Sequence, residues 1–173
     1  MTDMERNALE REFEDKSGRL TEMMIQMGEM EKLYKKYEAA SRANAVMAAY
    51  EAMTAENDEV ARMQKHVDRA AEESKNAASS GAKELAQAAK AAANAQQLAL
   101  DLAREKQASA KAAYEAALAE NGFDSEEAFK AAFLTKPAFM KLEETVNPFR
   151  MEYATLLARC EEIEALLPED DDK

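Results

Sequence analysis

Three features of this chain resemble the raw material of catalysis: one imidazole at His66, one thiol at Cys160, and the tripeptide Gly81-Ala82-Lys83. A nucleophilic triad would have to use His66, and no serine or cysteine is placed near it by the periodicity around it. His66 therefore reads as a solvated or seam-flanking side chain. Paired Glu-x-x-His motifs of di-metal carboxylate bundles are excluded, because the residue three before His66 is Met63. Gly81-Ala82-Lys83 lacks both the upstream glycine and the following hydroxyl of a phosphate loop. Cys160 falls between Tyr153 and Ile163 on an apolar stripe, where a thiol behaves as a small hydrophobe. Met23, Met24, Met27 and Met30 read chiefly as packing residues, with an adaptable partner-binding surface as the second reading. The sequence therefore predicts no enzyme, no catalytic, cofactor-binding or metal-ligating residues and no cofactor.

The elements that carry these residues are helical by elimination. Four Gly and three Pro in 173 residues cannot supply the frequent turns of a sandwich, barrel or doubly wound sheet. The apolar content lies in Ala, Leu and Met, which suits long helices in thin layers better than a deep core. A net charge of -12 opposes direct binding of nucleic acid, whose affinity depends on lysine and arginine displacing counterions. It also opposes an anionic membrane surface. No apolar leader is evident at Met1-Thr2-Asp3-Met4-Glu5-Arg6. The longest uncharged run, Ala91 to Leu100, is about half the length that crosses a bilayer. A cytoplasmic protein is expected, with a protein partner and no small-molecule ligand.

From Thr2 to Ser74 no proline interrupts the chain, which predicts one helix extending about 105 Å at 1.5 Å per residue. Its apolar stripe runs through Met23, Met27, Met30, Tyr34 and Tyr37, then resumes in a shifted phase at Val46, Tyr50, Met53, Val60, Met63, Val67 and Ala70. The small residues of Asn76-Ala77-Ala78-Ser79-Ser80-Gly81 place a hairpin tip near residues 75–82. Beyond it, Leu85, Ala88, Ala92, Ala95, Ala99 and Leu102, with Tyr114 and Leu118 further on, are expected to face the first helix. Folding about position 78 opposes residues 45–74, with three bases and seven acids, to residues 82–111, with five bases and three acids. Complementary charge is expected to set the register, and Phe123 to lie near Leu33.

Asn121-Gly122 should end the second helix. Asp124 and Glu127 form a capping box for a short third helix, with Phe123 stapling onto Ala128. Thr135-Lys136-Pro137 ends that helix and starts another. Leu142, Val146, Phe149, Tyr153, Leu156, Cys160, Ile163 and Leu167 then repeat in steps of four and three. Asn147-Pro148 implies either a kink or a fresh cap inside this run. The expected organisation is all-α: an elongated antiparallel coiled-coil hairpin over 1–121, a short helix plus a heptad helix over 122–167 packing back along the first helix, and an acidic tail over 168–173. The tail residues Glu169-Asp170-Asp171-Asp172-Lys173 read as a solvated terminus or as similar to an enteropeptidase recognition sequence.

The stretch Ala119-Glu120-Asn121-Gly122-Phe123-Asp124-Ser125-Glu126-Glu127-Ala128-Phe129, continuing to Phe133-Leu134, resembles a segment of the SbcC family. These are the SMC-type ATPase subunits of a DNA double-strand-break nuclease. In that family a coiled-coil arm returns from its apical tip through a similar break and resumes as heptads. The resemblance covers residues 115–167, without nucleotide-binding heads and without the Cys-x-x-Cys zinc hook of the arm tip. It implies a spacer or tether with no transferable functional residue. The alternative from the residues themselves is an acidic assembly adaptor of phage or bacterial scaffolding type. The C-terminal heptads are expected to outrun their partner helix, and so to fold into a local bundle or to self-associate through Leu156, Ile163 and Leu167.

Overall fold

A computed structural model of the chain describes residues 1–167 and is all-α. The helices are α1 (Asp3–Ser79), α2 (Lys83–Glu120), α3 (Glu126–Ala132) and α4 (Lys136–Leu166). The long helix α1 packs antiparallel against α2, and the C-terminal helices pack along α1. The chain divides into one unit of Met1–Ser41 with Leu134–Lys173, and a second unit of Arg42–Phe133. The acidic tail expected at 168–173 lies outside the described residues.

In the first unit the seam is a continuous heptad. On α1 the seam positions, each half-buried or buried, are Arg6, Leu9, Phe13, Lys16, Leu20, Met23, Met27, Met30, Tyr34 and Tyr37. Their alternating steps of three and four keep one stripe on one face. On α4 the matching positions are Phe139, Leu142, Val146, Phe149, Tyr153, Leu156, Cys160, Ile163 and Leu167. Met23, Val146 and Ile163 are wholly buried. Two bidentate pairs fix the antiparallel register. Arg159 donates to Glu12 from Nε at 2.8 Å and Nη2 at 2.7 Å, and Arg19 donates to Glu152 at 2.7 and 3.3 Å.

This pairing corrects the expectation that the C-terminal heptads outrun their partner. Ile163 and Cys160 are buried within the chain, against an α1 stripe that reaches back to Arg6 rather than beginning at Met23. The helix α4 also runs through Pro148 without a fresh cap. Proline removes the N–H that would bond the Glu144 carbonyl, and Glu144 is exposed, so water can take that acceptor.

The second unit holds the hairpin. Helix α1 continues through Ser79, and the connection is Ser80-Gly81-Ala82, with Gly81 at φ +78°. The tip therefore sits a few residues later than a fold about position 78, and the register moves with it. The Arg42 guanidinium lies 5.6 Å over the Phe123 ring. Phe123 thus meets Arg42 where Leu33 was expected.

The seam of α2 also differs. Ala86, Ala89, Ala93, Gln96, Leu100, Ala103, Gln107, Ala110, Tyr114 and Ala117 are at least half-buried. Of the expected stripe Tyr114 is buried and Ala99 and Leu118 are half-buried, whereas Ala88, Ala92 and Ala95 are exposed and Leu85 and Leu102 are 57% and 53% exposed. Alanine on every face of α2 leaves hydropathy no means of choosing between adjacent stripes, and Tyr114 decides the phase by filling the core. The expected charge matching is not realised either: among the described residues no ion pair joins α1 to α2. The cross-helix polar contacts there are Arg104 Nη2 to Gln64 at 3.0 Å, Gln107 Nε2 to Asn57 at 3.0 Å, and Arg42 Nη1 to the Asn121 carbonyl at 3.2 Å.

The end of α2 is a Schellman turn. The Phe123 N–H donates to the Leu118 carbonyl at 2.9 Å, the Gly122 N–H to Ala119 at 3.1 Å, and Gly122 has φ +76°. The cap of α3 falls on Ser125, whose hydroxyl accepts from the Ala128 N–H at 3.1 Å. This replaces the expected Asp124–Glu127 box: capping from Ser125 makes Glu126 the first helical residue, where its carboxylate accepts from the Tyr114 hydroxyl and pairs with Lys130. Helix α3 thereby delivers Phe129, wholly buried, onto Ala43, Val46 and Tyr114. The rings of Tyr50, Tyr114 and Phe123 surround Phe129 at centroid distances of 5.6 to 6.2 Å, within the range of favourable edge-to-face contact.

Candidate functional site

The residues singled out for chemistry are scattered in this fold. His66 is exposed on α1, Cys160 is buried in the α1–α4 seam, and Gly81-Ala82-Lys83 forms the hairpin connection. Among the described residues no group of His, Cys, Asp or Glu is placed to hold a metal ion. Among the described residues no charged or polar residue is buried, and no buried side-chain polar atom lacks a partner.

One recess lies in the first unit, between α1 and α4. It encloses about 360 Å³ and is lined by Met27, Met30, Glu31 and Tyr34 from α1 and by Phe149, Arg150, Tyr153 and Ala154 from α4. The heptad periodicity puts Met27, Met30, Tyr34, Phe149 and Tyr153 at seam positions, while Glu31 and Arg150 stand at its edge. The Arg150 guanidinium sits 3.8 Å over the Tyr34 ring, a cation–π arrangement that fixes the plane of both groups. Tyr34 leans on Tyr37, which stacks on Phe139 at 5.2 Å and donates its hydroxyl to Glu143 at 2.9 Å. The methionines divide by position: Met23 is wholly buried, Met27 and Met30 are half-buried, and Met24 is 61% exposed. Such a recess has apolar walls, one acid and one base. It can hold an apolar side chain, and it contains no nucleophile paired with a base.

A second cluster carries the most perturbed side chain of the hairpin unit. Burial first, and then the hydrogen bond to Glu126 at 3.1 Å, push the Tyr114 hydroxyl up to about 12. A raised value keeps the phenol protonated as a donor, so the group holds α3 in place. The Lys130 ammonium lies 4.9 Å over the Tyr50 ring beside it.

The sequence reading assigned Phe149 and Tyr153 to a seam and Met27 and Met30 to packing, and the structure places all four on the walls of one recess. It missed the Arg150–Tyr34 contact. Its signal would have been an arginine directly after a seam aromatic on one helix, opposite a tyrosine on the antiparallel partner.

Fold and recess define an all-helical protein of long packed helices. No helix among the described residues is long and apolar enough to cross a membrane. Comparison with protein-family models, with curated proteins and with solved structures finds no match.

Proposed function

We propose that this chain is a non-catalytic helical arm or tether, of the kind its residues 115–167 resemble in SbcC-type DNA-repair ATPases. The observation that supports it is the uninterrupted α1 of 77 residues, lined by alternating three- and four-residue seams that α4 and α2 cover. A spacer needs a rod whose stiffness comes from side-chain packing, and it needs no buried charge. The absence of a buried polar residue among the described ones agrees with that role. The test is the reading frame around the gene. Phosphate-loop-bearing halves encoded in frame on both sides are expected, and a start at Met1 with a stop directly after Lys173 would overturn the proposal.

A second reading is an acidic adaptor that binds a basic protein partner, and the Met27–Tyr34–Phe149–Tyr153 recess favours it. Because the chain has no tryptophan and five tyrosines, tyrosine fluorescence can report on this site. A basic, leucine-rich helical peptide should change the signal in the native chain and leave that of Tyr34→Ala unchanged. No response in the native chain up to millimolar peptide excludes the adaptor.

A further inference from the structure

The helices of the first unit are the N-terminal half of α1 and all of α4. Helix stability comes mostly from packing an apolar face, so the hold on α4 is the seam these two share. The two sides of that seam are unlike. One side carries the pairs of Glu12 with Arg159 and of Arg19 with Glu152, each residue one position before a seam residue. The other carries the recess, where Glu31, Arg150 and Ala154 each follow one. The seam is closed by ion pairs on one side and open on the other.

Two thioethers line the open side. Met27 and Met30 are half-buried seam residues in the wall of the recess of about 360 Å³. Met23, one turn earlier, is wholly buried, whereas Met4, Met24, Met140 and Met151 are exposed and lie outside the seam. Within this unit, access for a small oxidant and a place in the packing therefore coincide at Met27 and Met30.

We propose that Met27 and Met30 form an oxidation site for peroxides, and that their sulfoxides release α4 from the N-terminal half of α1. A sulfur lone pair attacks one oxygen of hydrogen peroxide, the S–O bond forms as the O–O bond breaks, and the departing hydroxide takes a proton to become water. The thioether is oxidised by two electrons and the peroxide is reduced. A flexible apolar side chain becomes a polar one, at two seam positions one turn apart.

The consequence depends on what surrounds the new oxygen. In the recess it is set among the rings of Tyr34, Phe149 and Tyr153. Arg150, the one cation in that lining, lies 3.8 Å over the Tyr34 ring, so a sulfoxide gains this donor only at the expense of the cation–π contact. In the hairpin unit Met63 lines a groove with Glu59 and Lys106, and Met53 one with Asn57 and Gln107, where the oxygen has charged and amide neighbours. Met47 packs against the closed cluster around Phe129. The effect of oxidation is thus concentrated on α4.

Cys160 supplies the readout. It is the one thiol of the chain and is buried in the same seam, so an alkylating agent reaches it when α4 opens. The full chain is treated with hydrogen peroxide, freed of it with catalase, and incubated with dithiothreitol, which restores sulfenic acid and disulfide and leaves methionine sulfoxide in place. Mass spectrometry should find Met27 and Met30 oxidised well before Met23. Iodoacetamide should then modify Cys160 at least about tenfold faster than in the untreated chain, the effect of a polar group in the seam on a local opening equilibrium. Hydrogen exchange should quicken across residues 149–163 and stay unchanged around Val46 and Tyr114. Met27→Leu combined with Met30→Leu keeps the apolar volume and should leave Cys160 protected after the same treatment, whereas Met24→Leu combined with Met151→Leu should not. Oxidation of Met23 as fast as Met27 and Met30, or full oxidation of that pair with Cys160 still protected, would overturn the proposal on the native chain alone. A leucine pair that responds like the native chain would do the same. None of these readouts depends on flanking reading frames or on a peptide ligand, so the site stands or falls apart from the arm and adaptor readings.

Discussion

Phe129 carries more of the second unit than any other side chain, because α3 spends its seven residues delivering that one ring into contact with Tyr50, Tyr114 and Phe123. Phe129→Ala should cost about 3–5 kcal/mol, as expected for a large ring removed from a closed core, measured by chemical denaturation. Tyr114→Phe keeps the ring and loses the donor to Glu126, which should cost about 1 kcal/mol. The raised Tyr114 value also gives a pH dependence. A group whose folded value lies above its unfolded value of 10.0 contributes stability that is full below 10 and is lost as pH rises towards about 12. Tyr114→Phe should therefore soften alkaline unfolding in that window. In the first unit the sign reverses. The hydrogen bond from Arg159, ahead of its charge, holds the Glu12 carboxyl below its ordinary 4.5, and Arg19 does the same for Glu152. A depressed carboxyl stabilises the fold above about 4.5, and that contribution disappears as pH falls through the folded value. Glu12→Gln should flatten the acid limb of a melting-temperature profile between pH 5 and 2, and Glu14→Gln, outside these pairs, should not.

At the scale of the element, two backbone positions decide where helices stop and how they run. Gly122 occupies the left-handed region, and a Cβ built there would lie 3.1 Å from Arg42 Nη1. The guanidinium is the far end of a flexible side chain and can move, so the backbone conformation is the main cost. Gly122→Ala should destabilise by about 1–2 kcal/mol and should loosen the bond from Arg42 to the Asn121 carbonyl. Pro148 is the opposite case. It interrupts one bond of α4 while the apolar register on either side of it, Val146 to Phe149, stays in step. Pro148→Ala restores the N–H for the Glu144 carbonyl and should raise stability by about 1–3 kcal/mol, read as a higher melting temperature. A loss of stability would mean that the proline-shaped helix is what seats Phe149 and Arg150 around the recess.

Across the whole molecule, burial is uneven, and hydrogen exchange should follow it. Amides near Val46 and Tyr114 are expected to be the slowest of the second unit, and those of residues 83–95, whose seam is mostly alanine, the fastest within helices. Uniform protection along α2 would contradict the thin seam seen there. The same unevenness explains what was legible in advance. Scarce glycine and proline determined an all-helical chain, and Gly81, Gly122 and Pro137 marked its turns. The α4 stripe from Leu142 to Leu167 could be read residue by residue, because large side chains alternate there with charged ones. The face of α2 could not: with alanine all round, two stripes one residue apart have almost the same hydropathy, and only docking against Val46, with Phe129 arriving from a distant helix, selects between them. That α4 packs along α1 was legible in the sequence; its register on α1 was not, since it depends on α3 taking up the residues after Gly122 within the hairpin unit. The recess of Met27, Tyr34, Phe149 and Arg150 was hidden for the same reason. Periodicity along one helix fixes which residues share a face, whereas the relative register of two helices is set by contacts between residues more than a hundred positions apart, and those exist only once the chain has folded.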